Sequence, residues 1–135
     1  MFGNTLKKEE ILRGYEAFSK IITKGKNIKS GNLSFYYVTE ALQSNFIEIG
    51  FAISKKIKGS VKRNRIKRLL REYYRLNKEQ LYLVLSKKSC SVRCVVIFSL
   101  TNQTDKAIRL GFNDVKNDFD RVLKILLSNL AKTHE

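Results

Sequence analysis

The chain has 135 residues, 43% of them hydrophobic, which is enough for one domain with a modest core. Lys and Arg number 27 against 12 Asp and Glu, a formal charge of +15, and self-repulsion on that scale points to a polyanionic partner. No apolar run approaches the roughly 20 residues needed to cross a bilayer. His134, the one histidine, is expected to lie in a frayed end, which excludes a His-based general base, and the Cys90 and Cys94 spacing fits no zinc pattern.

With no Pro and seven Gly, residues 1–135 show no domain boundary. Residues 1–13 have little periodicity beyond Leu6, Ile11 and Leu12, and are expected to form a flexible basic arm. That arm lacks the apolar stretch of a signal peptide and carries Glu9 and Glu10, so a cytoplasmic location with no membrane partner is expected. From about residue 14 to 24, Tyr15, Phe18, Ile21 and Ile22 make a short helical stripe that Gly25 is placed to cap. A turn through Ser30, Gly31 and Asn32 leads to a strand over 33–38. Ser34, Tyr36 and Val38 lie on one of its faces and Leu33, Phe35 and Tyr37 on the other. Residues 40–45 are expected to form a loop. The apolar run 46–53 reads as a second strand, antiparallel to the first and central in the sheet, covered on both faces.

Residues 54–60 form a basic turn that carries Lys55 and Lys56. Over 62–75, seven of fourteen residues are Lys or Arg, yet Ile66, Leu69, Leu70 and Tyr73 recur at i, i+3, i+4, i+7. This predicts a helix with an apolar stripe seated on the sheet and cations around the rest. Ser60 is placed as its N-cap. Lys62 and Arg63 oppose the helix dipole, and exposed amides with adjacent cations make the start of this helix an anion site. A third strand is predicted over 92–100, a loop over 101–111, and a long helix over 113–131, with Asn113 as its cap and Asp114, Asp118 and Asp120 in its first turns. Helix, strand, strand, helix, strand, helix predicts an α+β fold with helices packed on a small sheet.

The run Gly50, Phe51, Ala52, Ile53, Ser54, Lys55, Lys56, followed by Gly59, Ser60, Val61, Lys62, Arg63, Asn64, Arg65, Ile66, Lys67, Arg68, Leu69, Leu70, Arg71, resembles the signature of the bacterial ribonuclease P protein subunit. With Phe18, Gly25 and Tyr36, the resemblance extends over about 6–100. It implies a two-layer α/β sandwich like a ribosomal protein's second domain, with a left-handed βαβ crossover that breaks the usual rule. It implies a protein partner of a catalytic RNA that removes the 5′ leader of precursor tRNA, with Mg²⁺ held mainly by RNA and substrate. Lys55, Lys56, Lys62, Arg63, Asn64, Arg65, Lys67, Arg68 and Arg71 would then face the catalytic RNA. Phe18, Ile22, Ser34 and Tyr36 would line a cleft for the single-stranded leader. Ile22 replaces a second aromatic of the family, Glu48 replaces a basic residue, and the usual Arg is absent after the third strand. No catalytic residue is expected in the chain, since its acids are scattered, and no small-molecule substrate. The alternative is a non-enzymatic RNA-binding module, such as a ribosomal protein or an RNA chaperone.

Overall fold

Alternating apolar residues along four segments build the sheet, and two long amphipathic helices cover one of its faces. The computed structural model describes residues 8–41, 46–88, 90–99 and 112–132. A 3₁₀ turn at Lys8–Glu10 leads into α1 (Tyr15–Lys24), β1 (Lys26–Ser30), β2 (Leu33–Ala41), β3 (Ile47–Ile53), α2 (Ser60–Leu85), β4 (Cys90–Phe98) and α3 (Phe112–Lys132). The strand order is β1-β2-β4-β3. β2 pairs antiparallel with both β1 and β4, while β3 and β4 run parallel, so α2 is the crossover that joins them. The expected α+β class, helices on a small sheet, is what the structure has.

The pairing expected between the two early strands is corrected. β4 lies between β2 and β3, so β3 is an edge strand rather than a central one. Its continuous apolar run has another cause. Ile47, Ile49 and Phe51 pack toward the helices, Gly50 meets Phe18 on the opposite face, and Ile11 bridges to Ile49 along the outer edge. β1 was not expected, since only its last residue, Ser30, fell in the predicted turn. Only Ile28 in it is buried, and the exposed Lys26 and Lys29 suit an edge strand, where charge discourages further pairing. The basic arm is also corrected in its described part: Glu10 and Leu12 are buried, and the Leu12 N–H donates to the Ile49 carbonyl at 2.9 Å. Residues 1–7, 42–45, 101–111 and His134, for which an arm, loops and a frayed end were expected, lie outside the described residues.

α2 has 26 residues, roughly 39 Å at about 1.5 Å per residue. Ile66, Leu70, Tyr73, Tyr74, Leu81 and Leu85 form its buried stripe, with Leu69 half-buried beside it. Tyr73 stacks on Phe119 of α3, ring centroids 4.4 Å apart, and its hydroxyl donates to Asp120, which also accepts from Lys116 at 2.7 Å. Asn113 sits inside α3 rather than capping it, because the helix already includes Phe112. The β1–β2 turn docks on α3: the Asn32 N–H donates to Asp118 at 3.2 Å, and Arg121 links Asp118 to Ser30 at 2.6 and 2.8 Å. Cys90 and Cys94 are buried on one face of β4, and burial pushes the Cys94 thiol far above its ordinary value. On the other face of the sheet α1 packs Ile21 over Val95 with Leu12, and Phe18, Ile22 and Tyr36 gather around that small cluster.

Candidate nucleic-acid interface

The turn before α2 is built by hydrogen bonds. The Ser54 N–H donates to Phe98 O at 2.8 Å and the Ile57 N–H to Ser54 O at 3.1 Å, while the Ile57 side chain is buried as a plug. Arg63 Nη1 donates back to Ile57 O at 2.8 Å, so this guanidinium, half-buried, holds the turn. Lys55 and Lys56 stand exposed at its tip. Ser60 is not the cap it was expected to be. Gly59 takes that place with φ +94, a left-handed conformation that favours glycine, and it has no side chain with which to cap the helix. The first turn holds no acidic residue. Its N–H groups therefore share their positive end with Lys62 and Arg63, which is the electrostatic conflict read from the sequence.

Past the first turn the basic residues divide by helical geometry. Arg65 and Arg68, one turn apart, form an exposed outer ridge with Asn64 beside it. Arg75 continues that ridge, but its guanidinium is engaged by Glu72 at 2.6 Å, and that bond holds the Glu72 carboxyl below its ordinary value. Lys67 and Arg71 point elsewhere. They line a cleft of about 370 Å³ with Ile11, Leu12, Arg13, Gly14, Phe18, Gly50 and Phe51. The floor is fixed by close packing, since a Cβ at Gly50 would overlap the Phe18 ring. Of the expected cleft residues, Phe18, Ile22 and Tyr36 share one partly exposed apolar cluster. Ser34 is half-buried on the same face of β2, opposite Ile97 of β4.

The far flank of α1 carries a second, smaller groove of about 250 Å³, where Lys20, Lys24 and Arg93 meet Glu40 above Ile21 and Val38. Arg93 lies opposite Glu48 in the β3–β4 register and pairs with it at 3.2 Å, with Glu40 at 4.0 Å on the other side. The acidic residue that departs from the family's pattern thus has a partner on the neighbouring strand. Two contributors to the cleft escaped the sequence reading: Arg13, and the segment before α1 that carries it. One signal existed, a lysine at position 78 in line with Leu70, Tyr74, Leu81 and Leu85. That lysine is buried and paired at 2.8 Å with Glu10. Among the described residues, no three His, Cys, Asp or Glu side chains come together as a metal site, and no helix is long and apolar enough to cross a membrane.

A family model described as Ribonuclease P matches residues 6–87. The ribonuclease P protein component of Syntrophus aciditrophicus is 42% identical over 76 residues, covering 56% of this chain and 62% of that protein. The Bacillus pumilus component is 33% identical over 91 residues, covering 64% of this chain and 76% of that one. In the first two relatives the matched stretch spans 62% and 58% of the relative's length. The structure of the Staphylococcus aureus RNase P protein superposes with a TM-score of 0.66 at 23% identity, covering 88% of this chain and 96% of that one. The Thermotoga maritima protein gives 0.60 at 23% identity, with 93% and 99% covered. At these identities the likeness to solved structures is one of fold.

Proposed function

Because this chain belongs to the ribonuclease P protein family, we propose that it is the protein subunit of a ribonucleoprotein that cuts the 5′ leader from precursor tRNA. In this reading the catalytic RNA performs the hydrolysis, and the protein supplies binding energy through two adjoining surfaces. The observation that carries it is the division of one basic helix. Asn64, Arg65 and Arg68 form an outer ridge, with Lys55 and Lys56 at its foot, while Lys67 and Arg71 of the same helix turn into the cleft beside Phe18. The ridge docks on the catalytic RNA, and Lys62 and Arg63 secure its base.

The cleft takes the single-stranded leader. Its cations meet phosphates, Phe18 offers ring surface inside it, and Tyr36 offers more beyond it in the same apolar cluster, each a face on which a base gains about 1–3 kcal/mol by stacking, largely without sequence preference. Such tolerance suits a protein that handles many leaders. Mg²⁺ belongs on the RNA and substrate in this scheme. The acids of the described residues do not converge, so no step is routed through a metal on the protein. The setting is the cytoplasm.

The test is reconstitution with the catalytic RNA and precursor tRNA at low Mg²⁺, comparing substrates with and without a 5′ leader. The protein is expected to favour the leader-bearing substrate. Arg65→Ala should weaken assembly with the catalytic RNA, and Phe18→Ala should mainly weaken leader-dependent affinity. Equal action on both substrates would return the protein to a general RNA-binding module.

A further inference from the structure

We propose that Glu10 and Lys78 are positioning residues for the cleft. Their buried ion pair ties residues 8–14 to α2 as a strap that forms one cleft wall and sets Phe18 in place. The proposal rests on the reading of the cleft as the leader site.

Both groups are nearly inaccessible, Glu10 at 6% and Lys78 at 4% exposure. Each oxygen of the Glu10 carboxylate has a partner: Lys78 Nζ at 2.8 Å on one and the Tyr82 hydroxyl at 2.6 Å on the other. Apolar residues at such positions commonly give equal or greater stability than a buried pair, so stability alone does not account for this one. What a doubly bonded carboxylate adds is direction, since it fixes one placement of the segment that carries it.

That placement propagates to the cleft in three short steps. One residue on, Ile11 bridges to Ile49 at the edge of β3, and the Leu12 N–H donates to Ile49 O at 2.9 Å. Two residues further, Gly14 adopts φ +97 and its carbonyl accepts the Phe18 N–H at 3.2 Å, which starts α1. Phe18 then lies against Gly50, the neighbour of Ile49. The strap residues Ile11, Leu12, Arg13 and Gly14 face Lys67 and Arg71 across the cleft, and Lys78 is on the same helix as those two cations. The pair therefore closes a ring of strap, α1, β3 and α2, and holds the aromatic wall at a fixed distance from the basic one.

The test uses Glu10→Ala/Lys78→Met, which removes both charges and leaves neither unpaired in the core, together with the reversed pair Glu10→Lys/Lys78→Glu. Circular dichroism and thermal melting establish that each variant folds. Amide hydrogen exchange at Leu12 reports the strap, and binding of precursor tRNA with and without its leader to the reconstituted holoenzyme reports the cleft. In the double variant Leu12 should exchange faster and leader-dependent affinity should fall on the order of tenfold, about the worth of one stacked base. Binding to the catalytic RNA should hold, and the reversed pair should recover most of the loss. A folded double variant with wild-type leader preference, or with unchanged exchange at Leu12, overturns the role given to the strap alone. A wild-type holoenzyme indifferent to the leader overturns the reading of the cleft, and the positioning role with it.

Discussion

At Gly50 the side chain that is missing matters more than those nearby. The Phe18 ring occupies the space a Cβ would need, so glycine here is a demand of packing on β3. Gly50→Ala should push the ring outward and cost about 1–3 kcal/mol, the usual range for overpacking. The measurements are a urea midpoint and the affinity for leader-bearing precursor tRNA, and both are expected to fall. An unchanged midpoint would show that the ring moves aside freely and that the cleft floor is not fixed by this contact. Arg63 teaches a related lesson. It opens the Arg63-Asn64-Arg65 triplet of the signature, yet its guanidinium bonds the Ile57 carbonyl. A cation in a binding motif can hold the loop that presents the motif's other cations.

At the scale of elements, periodicity identified what is long and amphipathic and failed where pairing or distant contacts decide. α3 and the part of α2 over 62–75 were legible because their stripes repeat over several turns, although α2 runs on to Leu85, and the signature residues were legible because they are contiguous. β1 was not, since one buried residue, Ile28, makes no pattern. The order of β2, β4 and β3 was not either, because an apolar run records that both faces are covered and not which strand lies alongside. The pair Glu10–Lys78 joins residues 68 apart, a separation no local pattern encodes. The α2–α3 seam has a pH signature of its own. Burial pulls the Asp120 carboxyl upward, but hydrogen bonds from Lys116 and Tyr73 outweigh it and hold the group below its ordinary value of 3.8. A depressed carboxylate contributes stability that is fully present above its unfolded value and lost as pH falls through the folded one. The stability advantage of wild type over Asp120→Asn should therefore be constant near neutrality and shrink below about pH 4. Urea unfolding of both proteins from pH 6 down to acid checks this. A gap independent of pH would mean that the Tyr73–Asp120 bond does not depend on the carboxylate's charge.

For the molecule as a whole, the excess of 27 basic over 12 acidic residues acts on two equilibria with opposite sign. In the free protein, like charges repel across a fold that holds them closer than the unfolded chain does, and added salt screens that repulsion over a Debye length of about 10 Å at 0.1 M. The melting temperature of the protein alone should rise with sodium chloride. In complex with RNA, each neutralised phosphate releases counterions, so affinity should fall with the same salt, by a log–log slope of about −0.9 per duplex contact and about −0.7 per single-stranded one. If Lys55, Lys56, Arg65, Lys67, Arg68 and Arg71 each meet one phosphate, the total slope is roughly −4 to −5. The division of α2 then makes a sharper demand. Removing Arg65 or Arg68 from the ridge should lower the slope for the catalytic RNA by nearly one unit each. Removing Lys67 or Arg71 should leave that slope nearly unchanged, and should lower the slope for leader-bearing substrate measured against leaderless substrate. Salt titrations of the four alanine variants against both RNAs decide it. Equal slope losses for all four on the catalytic RNA would mean that α2 presents one continuous basic surface, with no share of it turned to the leader.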